Sequence, residues 1–372
     1  MNKICLFYVS WLNINDTYNL FPKSLEKHAD IKCIDVSNVN LNQIKELEKF
    51  SNLIIIDHSI FAASVYSHNA VNLYIPNFKR QNFYENIWKV LIESKKKKVY
   101  IASGWDLHWT NLENNYDYLS NIDAIAWLYE KNPTNFNDVL AKLRDEWMYK
   151  HNCPSVAWKN IRKKIPSRFE MSHFLRGVKK VKTKLWDLSV CGVSYAPRQI
   201  VMKKIKEDPT IKLAPFNLTS NIFNRLIPNN MKKLKIKIRQ KKQDLLMSRS
   251  LINFVCGSGY NYPVRKFFET AEVASTLLCL PFNGFEDFGF IPNKNCLTVN
   301  FEDLAEQVND LKRNPSYCEE LAKKLQEDIF SLHNIGKMTN NFIKFIKHVA
   351  NGNEVVSEFK NGQYIFSTEV KT

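Results

Sequence analysis

A chain of 372 residues is longer than one ordinary core supports and implies two domains. Hydrophobic residues at 45% and aromatics at 13% supply globular cores, which excludes disorder as the main state. The net charge of +16 calls for an anionic partner, whether nucleic acid, a phospholipid surface or a phosphorylated substrate, without choosing among them.

Residues 4–9, 31–36, 53–56, 99–102 and 122–128 are short apolar runs, and helical patterns over 41–50 and 83–96 separate some of them. Strands alternating with helices predict a parallel sheet, in which ligands bind beyond the carboxyl ends of the strands. Polar residues just after each run therefore gain weight: Asp57 and His58 in IIIDHS, and Asp106 and His108 in IASGWDLHW. The GxGxxG fingerprint is absent after the first strand, which argues against a nicotinamide or flavin enzyme. The opening MNKICLFYVSWLN fits a first strand better than a signal peptide.

From about residue 136 to 184 the pattern turns helical and then basic, with ten Lys/Arg and one Glu in KNIRKKIPSRFEMSHFLRGVKKVKTK. A second run, MKKLKIKIRQKK, adds seven basic residues and no acid. These runs are read as solvated faces and linkers or, where Trp158, Ile161, Ile165, Phe169 and Phe174 interleave with the charge, as contacts to an anionic membrane surface or another polyanion.

A second alternating domain begins near residue 185. WDLSVCGVSYAPR reads as a strand ending at Gly192, where backbone can approach a ligand, followed by Arg198 at a helix start, well placed for a phosphate. The stretch 251–280 then reads as strand, glycine turn, helix and strand. Pro263 suits a first helical position. Val264, Phe267, Phe268, Ala271 and Ala274 form an apolar stripe, and Arg265, Glu269 and Glu272 share the polar face. A helix N-terminus bearing Arg265 and Lys266 is a seat for a diphosphate, with Glu269 able to accept hydrogen bonds from hydroxyls of the same ligand. Two amphipathic helices part at Asn314 and Pro315, and the sequence around Asn361-Gly362 predicts a hairpin with a type I′ turn. Eight dispersed cysteines without a CxxC read as free thiols of a reducing compartment. No apolar run reaches the roughly 18 residues of a membrane span, so the chain is expected to be soluble or peripheral, in the cytoplasm or at the inner membrane face.

Taken together, WDLSVCGxxxxxR, YxxRxFFExAxxxxxLLCLP, EDFGFIPNKNCLTVNFEDLAEQV and HNIGKMTNNFIKFI resemble the donor domain of GT-B-fold glycosyltransferases, nearest to the CgeB-like and group 1 sets. The resemblance covers about residues 185–345. It implies two Rossmann-like α/β domains facing each other across a cleft: 1–150 on the acceptor side, a basic helical linker over 151–184, a nucleotide-sugar domain over 185–345 and a C-terminal tail with a hairpin over 346–372. It assigns Glu269 to the ribose hydroxyls of the donor. The loop with Gly257, Ser258, Gly259 and Tyr262 goes to the diphosphate, with Arg265 or Lys266 nearby, and Gly192 and Arg198 to the other phosphate-side loop. Asn261 stands where many retaining members carry a further glutamate, which leaves the stereochemical outcome open.

The expected activity is transfer of a sugar from a nucleotide-diphosphate donor to a glycan or lipid-linked acceptor, with no cofactor. No DxD-type pair ends a strand of the second domain, so the reading is metal-independent, with charge on the leaving diphosphate met by the helix start and its Arg and Lys. An inverting reaction needs a general base from the first domain, and Asp106 or His108 is the candidate, with Asp57 and His58 behind. DNA or a protein as acceptor, a non-catalytic nucleic-acid-binding protein, and a transferase domain that only binds stand as alternatives.

Overall fold

The computed structural model describes residues 4–9, 16–60, 81–102, 121–127, 165–173, 175–192, 196–215, 232–257, 263–282 and 284–369. Two sheets organise them. The first contains β1 (Ile4–Tyr8), β2 (Ile31–Asp35), β3 (Leu53–Asp57), β4 (Lys97–Ala102), β5 (Ala124–Trp127) and β6 (Ser167–Glu170), closed at one edge by β11 (Glu354–Lys360) and β12 (Gln363–Glu369). Its order is β12-β11-β6-β5-β4-β3-β1-β2, and every neighbouring pair is parallel except β11 with β12. The second sheet, in order β10-β9-β8-β7, is wholly parallel and comprises β7 (Trp186–Ser189), β8 (Ser250–Val255), β9 (Thr276–Cys279) and the short β10 (Leu297–Thr298).

Apolar runs become these strands because parallel sheets are covered on both faces, so consecutive residues can all be hydrophobic. Leu53, Ile54, Ile55 and Ile56 of β3 are fully buried. The helices that cover the first sheet include α1 (Asp16–Leu25), α2 (Leu41–Phe50) and α3 (Gln81–Ile92), of which α1 was not foreseen from the sequence. Around the second sheet lie α4 (Ala196–Lys206), α5 (Lys232–Ser248), α6 (Arg265–Glu272), α7 (Leu304–Arg313) and α8 (Pro315–Leu332). Asn314 separates α7 from α8 as expected: its side chain accepts from the Tyr317 amide at 3.3 Å, and Pro315 takes the first turn.

Two features depart from the sequence reading. Ser167–Glu170 lies in the basic stretch read as helical, yet it forms β6 between β5 and β11. The terminal hairpin has the expected turn, with Asn361 at φ +49° and Gly362 at φ +73°, but where the sequence leaves it as a separate C-terminal tail it extends the first sheet. The helix that precedes it, α9 (Ile335–Ala350), also packs with the first core through Met338, Phe342, Phe345, Ile346 and Val349. Phe169 of β6 sits among Phe342, Phe345 and Tyr364 at ring-centroid distances of 5.4, 5.4 and 5.1 Å. The chain therefore crosses between the units twice, forward between β6 and β7 and back at His333 and Asn334.

The two crossings touch. His333 Nε2 lies 2.8 Å from the Phe288 carbonyl, which can only accept, so the Nδ1 of the same ring takes the hydroxyl hydrogen of Ser172. The seven described cysteines are free thiols, five of them buried. No described helix is long and apolar enough to cross a membrane.

Burial holds three histidines neutral: His58 and His173 fall to about 3 and His333 to about 4, from an ordinary 6.5. Unfolding releases each to bind a proton near pH 6.5, so their contribution is complete above that pH and is lost as pH falls toward 4 and 3. The melting temperature should drop between about pH 7.5 and about pH 5, and His333→Asn should reduce that slope in thermal scans across the interval.

Candidate functional site

The carboxyl end of β7 is shaped by one glycine. Gly192 has φ +121°, a backbone region that side chains rarely adopt, and a Cβ there would lie 2.5 Å from Nη1 of Arg198. The missing side chain is thus the space that the guanidinium fills. Arg198 stands in the first turn of α4 and is 3% exposed. The Cys191 thiol beside it is raised by burial, while Lys266 and Arg198 pull it down and Glu269 pushes it up. Gly192, Arg198, Lys266 and Glu269, separated by up to about a fifth of the sequence, therefore share one locality.

Helix α6 explains how the last two arrive there. Pro263 and Val264 lead in with extended backbone at Val264 (φ −61°, ψ 149°), and the helix runs from Arg265 to Glu272. Phe267, Phe268 and Ala271 are fully buried against Phe282, Phe285 and Phe290, which fixes the rotation of the helix. Its polar face is not solvated: Glu269 and Glu272 are 1% and 3% exposed. The face predicted from i, i+4 and i+7 spacing exists, but it looks into the protein.

Glu269 is consequently surrounded by cations. Its Oε1 lies 2.6 Å from Arg265 Nε and 2.6 Å from Arg176 Nη2, and Lys266 Nζ binds Oε2. Burial would raise its pKa, but Lys266, Arg265 and Arg176 outweigh burial and hold it at about 2. A charged carboxylate in this interior, with its two oxygens aligned by fixed donors, can accept hydroxyl hydrogen bonds as soon as a competing anion draws a cation away. Glu272, one turn on, accepts from the Gly177 and Val178 amides at 2.5 and 3.4 Å; burial raises it and these amides oppose. Arg176 is the residue the sequence did not distinguish, counted there only as one charge in a basic run.

Among the other predicted residues, Gly257 is buried just after β8. Ser258, Gly259 and Tyr262, like Asp106 and His108, lie outside the described residues. Asp57 ends β3 and His58 follows it. The Asp57 carboxyl is raised by burial against the opposing hydrogen bonds of Ser59, whose amide donates to Oδ1 at 2.9 Å. His58 Nδ1 is 2.6 Å from the Tyr100 hydroxyl. The structure brings together Gly192, Arg198, Arg265, Lys266 and Glu269, and places Asp57 and His58 on the other sheet. Among the described residues, no group of three or more His, Cys, Asp or Glu is placed to hold a metal ion.

Two parallel-sheet α/β units joined by two crossings define the GT-B fold. The chain aligns with the crystal structure of Anabaena HepE in complex with UDP and glucose at TM-score 0.52, with 9% identity over 93% of this chain and 100% of that one. Sucrose-phosphate synthase from Thermosynechococcus elongatus aligns at 0.52, with 10% identity over 95% and 100%. For TarM the TM-score is 0.45 and the identity 11%, and the chain, 81% aligned, spans 57% of TarM's length. At these identities the likeness is one of fold alone. Neither a family model nor a curated protein sequence matches the chain.

Two outcomes follow from the geometry. Gly192→Ala forces a side chain into a positive-φ site and against Arg198, so it should cost about 1–3 kcal/mol in chemical denaturation. Glu269→Gln leaves three cations without their shared anion and should destabilise the protein by about 3–5 kcal/mol near neutral pH. Because the folded pKa is depressed, the wild type should lose its advantage as pH falls from 4.5 toward 2, and denaturation midpoints of the two proteins should converge there.

Proposed function

We propose that this protein is a glycosyltransferase that moves a sugar from a nucleotide-diphosphate donor to a glycan or lipid-linked acceptor. The observation that carries the reading is Glu269, a buried, ionised carboxylate in the first turns of α6, flanked by Arg265 and Lys266 and sharing its surroundings with Gly192 and Arg198. In this reading Glu269 takes the ribose hydroxyls. Arg265, Lys266, Arg198 and the loop from Gly257 to Tyr262 take the diphosphate, whose negative charge grows as the sugar leaves; fixed cations at that position lower the barrier without a metal. The GT-B fold and the UDP and glucose bound by HepE support a nucleotide sugar as donor.

The acceptor meets the first unit, where Asp106 or His108 serves as general base, with Asp57 and His58 behind them. The basic run MKKLKIKIRQKK suits an anionic membrane surface, in keeping with a lipid-linked or surface-glycan acceptor.

The test is a thermal-shift screen against UDP, GDP, ADP and their common sugar conjugates, with Glu269→Ala beside the wild type. A ligand held at about 100 times its dissociation constant should stabilise the fold by roughly 2.7 kcal/mol. One nucleotide should raise the wild-type melting temperature and leave Glu269→Ala unmoved. If no nucleotide raises it while duplex DNA or anionic vesicles do, the transferase reading is wrong.

A further inference from the structure

The side chains around Glu269 close a ring. Glu269 Oε1 forms ion pairs with Arg265 Nε and Arg176 Nη2, each at 2.6 Å. Arg265 Nη2 donates to Gln240 Oε1 at 2.8 Å, and Gln240 Nε2 donates to Asp244 Oδ1 at 2.8 Å. Asp244 completes the circuit by accepting both terminal nitrogens of Arg176, at 2.7 and 3.3 Å. Three segments supply these five residues: α5 gives Gln240 and Asp244, α6 gives Arg265 and Glu269, and the forward crossing gives Arg176.

We infer that Arg176 is a positioning residue for the donor-binding glutamate, and that through it the donor helix grips the segment that joins the two units. Arg176 is 10% exposed, and its planar guanidinium spans two carboxylates, which a flexible ammonium cannot do with the same geometry. Asp244 fixes the guanidinium from one side, so the direction in which Nη2 meets Glu269 is set before any ligand arrives. The ring occupies Oε1, and among the described residues Oε2 is paired with Lys266 alone. Oε2 is therefore the oxygen that an incoming hydroxyl takes once Lys266 turns to a phosphate, while Arg176 and Arg265 hold the carboxylate still. Beyond Arg176, the Gly177 and Val178 amides are caught by Glu272, so the crossing is fastened to both acidic residues of α6.

This inference rests on the donor-site reading above, and the test separates the two. Affinities for inorganic pyrophosphate and for UDP, with GDP and ADP in parallel, are measured by calorimetry on the full-length wild type, Arg176→Met, Arg176→Lys and Asp244→Asn. Pyrophosphate has no ribose and does not use Glu269. Arg176→Met should weaken the preferred nucleoside diphosphate about tenfold or more while changing pyrophosphate by less than about threefold. Arg176→Lys should recover part of the loss, and Asp244→Asn should show the same split in smaller measure. Those two variants carry the test if Arg176→Met does not fold. Equal losses for both probes, or none for either, overturn the positioning role. Failure of every nucleoside diphosphate to bind the wild type overturns the donor-site reading and this inference with it.

Discussion

A carboxylate removed from water stays charged only if the protein supplies fixed positive charge in its place, and the site depends on how that is done for Glu269. Losing hydration alone would favour the neutral acid. Arg176, Arg265 and Lys266 reverse the preference, and each comes with a different structural commitment. Arg265 and Lys266 open the helix that Glu269 belongs to. Arg176 must be carried in from the crossing between the sheets, so the charge state of one side chain depends on the path of a distant stretch of chain. A pair of ions that close is weak evidence for stability, since burying both is costly.

The aromatic packing behind α6 serves the same end. Phe267 and Phe268 sit on the side of the helix away from the ring and contact Phe282, Phe285, Phe288 and Phe290. Their interlocking rings leave little freedom for α6 to rotate, and a rotation would swing Glu269 away from Arg176. His173 and His333 fill the remaining space as neutral rings against Phe268, at 4.9 and 4.8 Å. Helix α6 is thus braced by an apolar wall on one flank and by ionic contacts on the other.

Much of this was legible in the residues. The runs at 53–56 and 277–279 are apolar at every position because both faces of the sheets are covered, and such runs announce themselves. Gly192, Arg198, Arg265, Lys266 and Glu269 stand where strand ends and helix starts could be read from spacing. The fold hid what depends on distant partners. Ser167–Glu170 reads as SRFE, two of its four residues charged, and becomes a strand because Glu170 meets the Phe359 amide at 2.7 Å and Phe169 meets rings from α9 and β12. Arg176 looks like any other basic residue of its run until Asp244 and Glu269 are folded against it. No local pattern encodes a ring assembled from residues 176, 240, 244, 265 and 269.

The hairpin built from β11 and β12 bears on how the molecule comes into being. Two strands of the first sheet and the helix beneath them are made after the entire second unit. During synthesis β6 must wait with an open edge, and Phe169 without Phe342, Phe345 and Tyr364, until residues 335–369 have emerged. The Gly362 amide then bonds the Asp287 carbonyl at 2.9 Å, tying the hairpin turn to the second unit. The unit that begins first is completed last, and its outermost strands record that the other half has already been assembled.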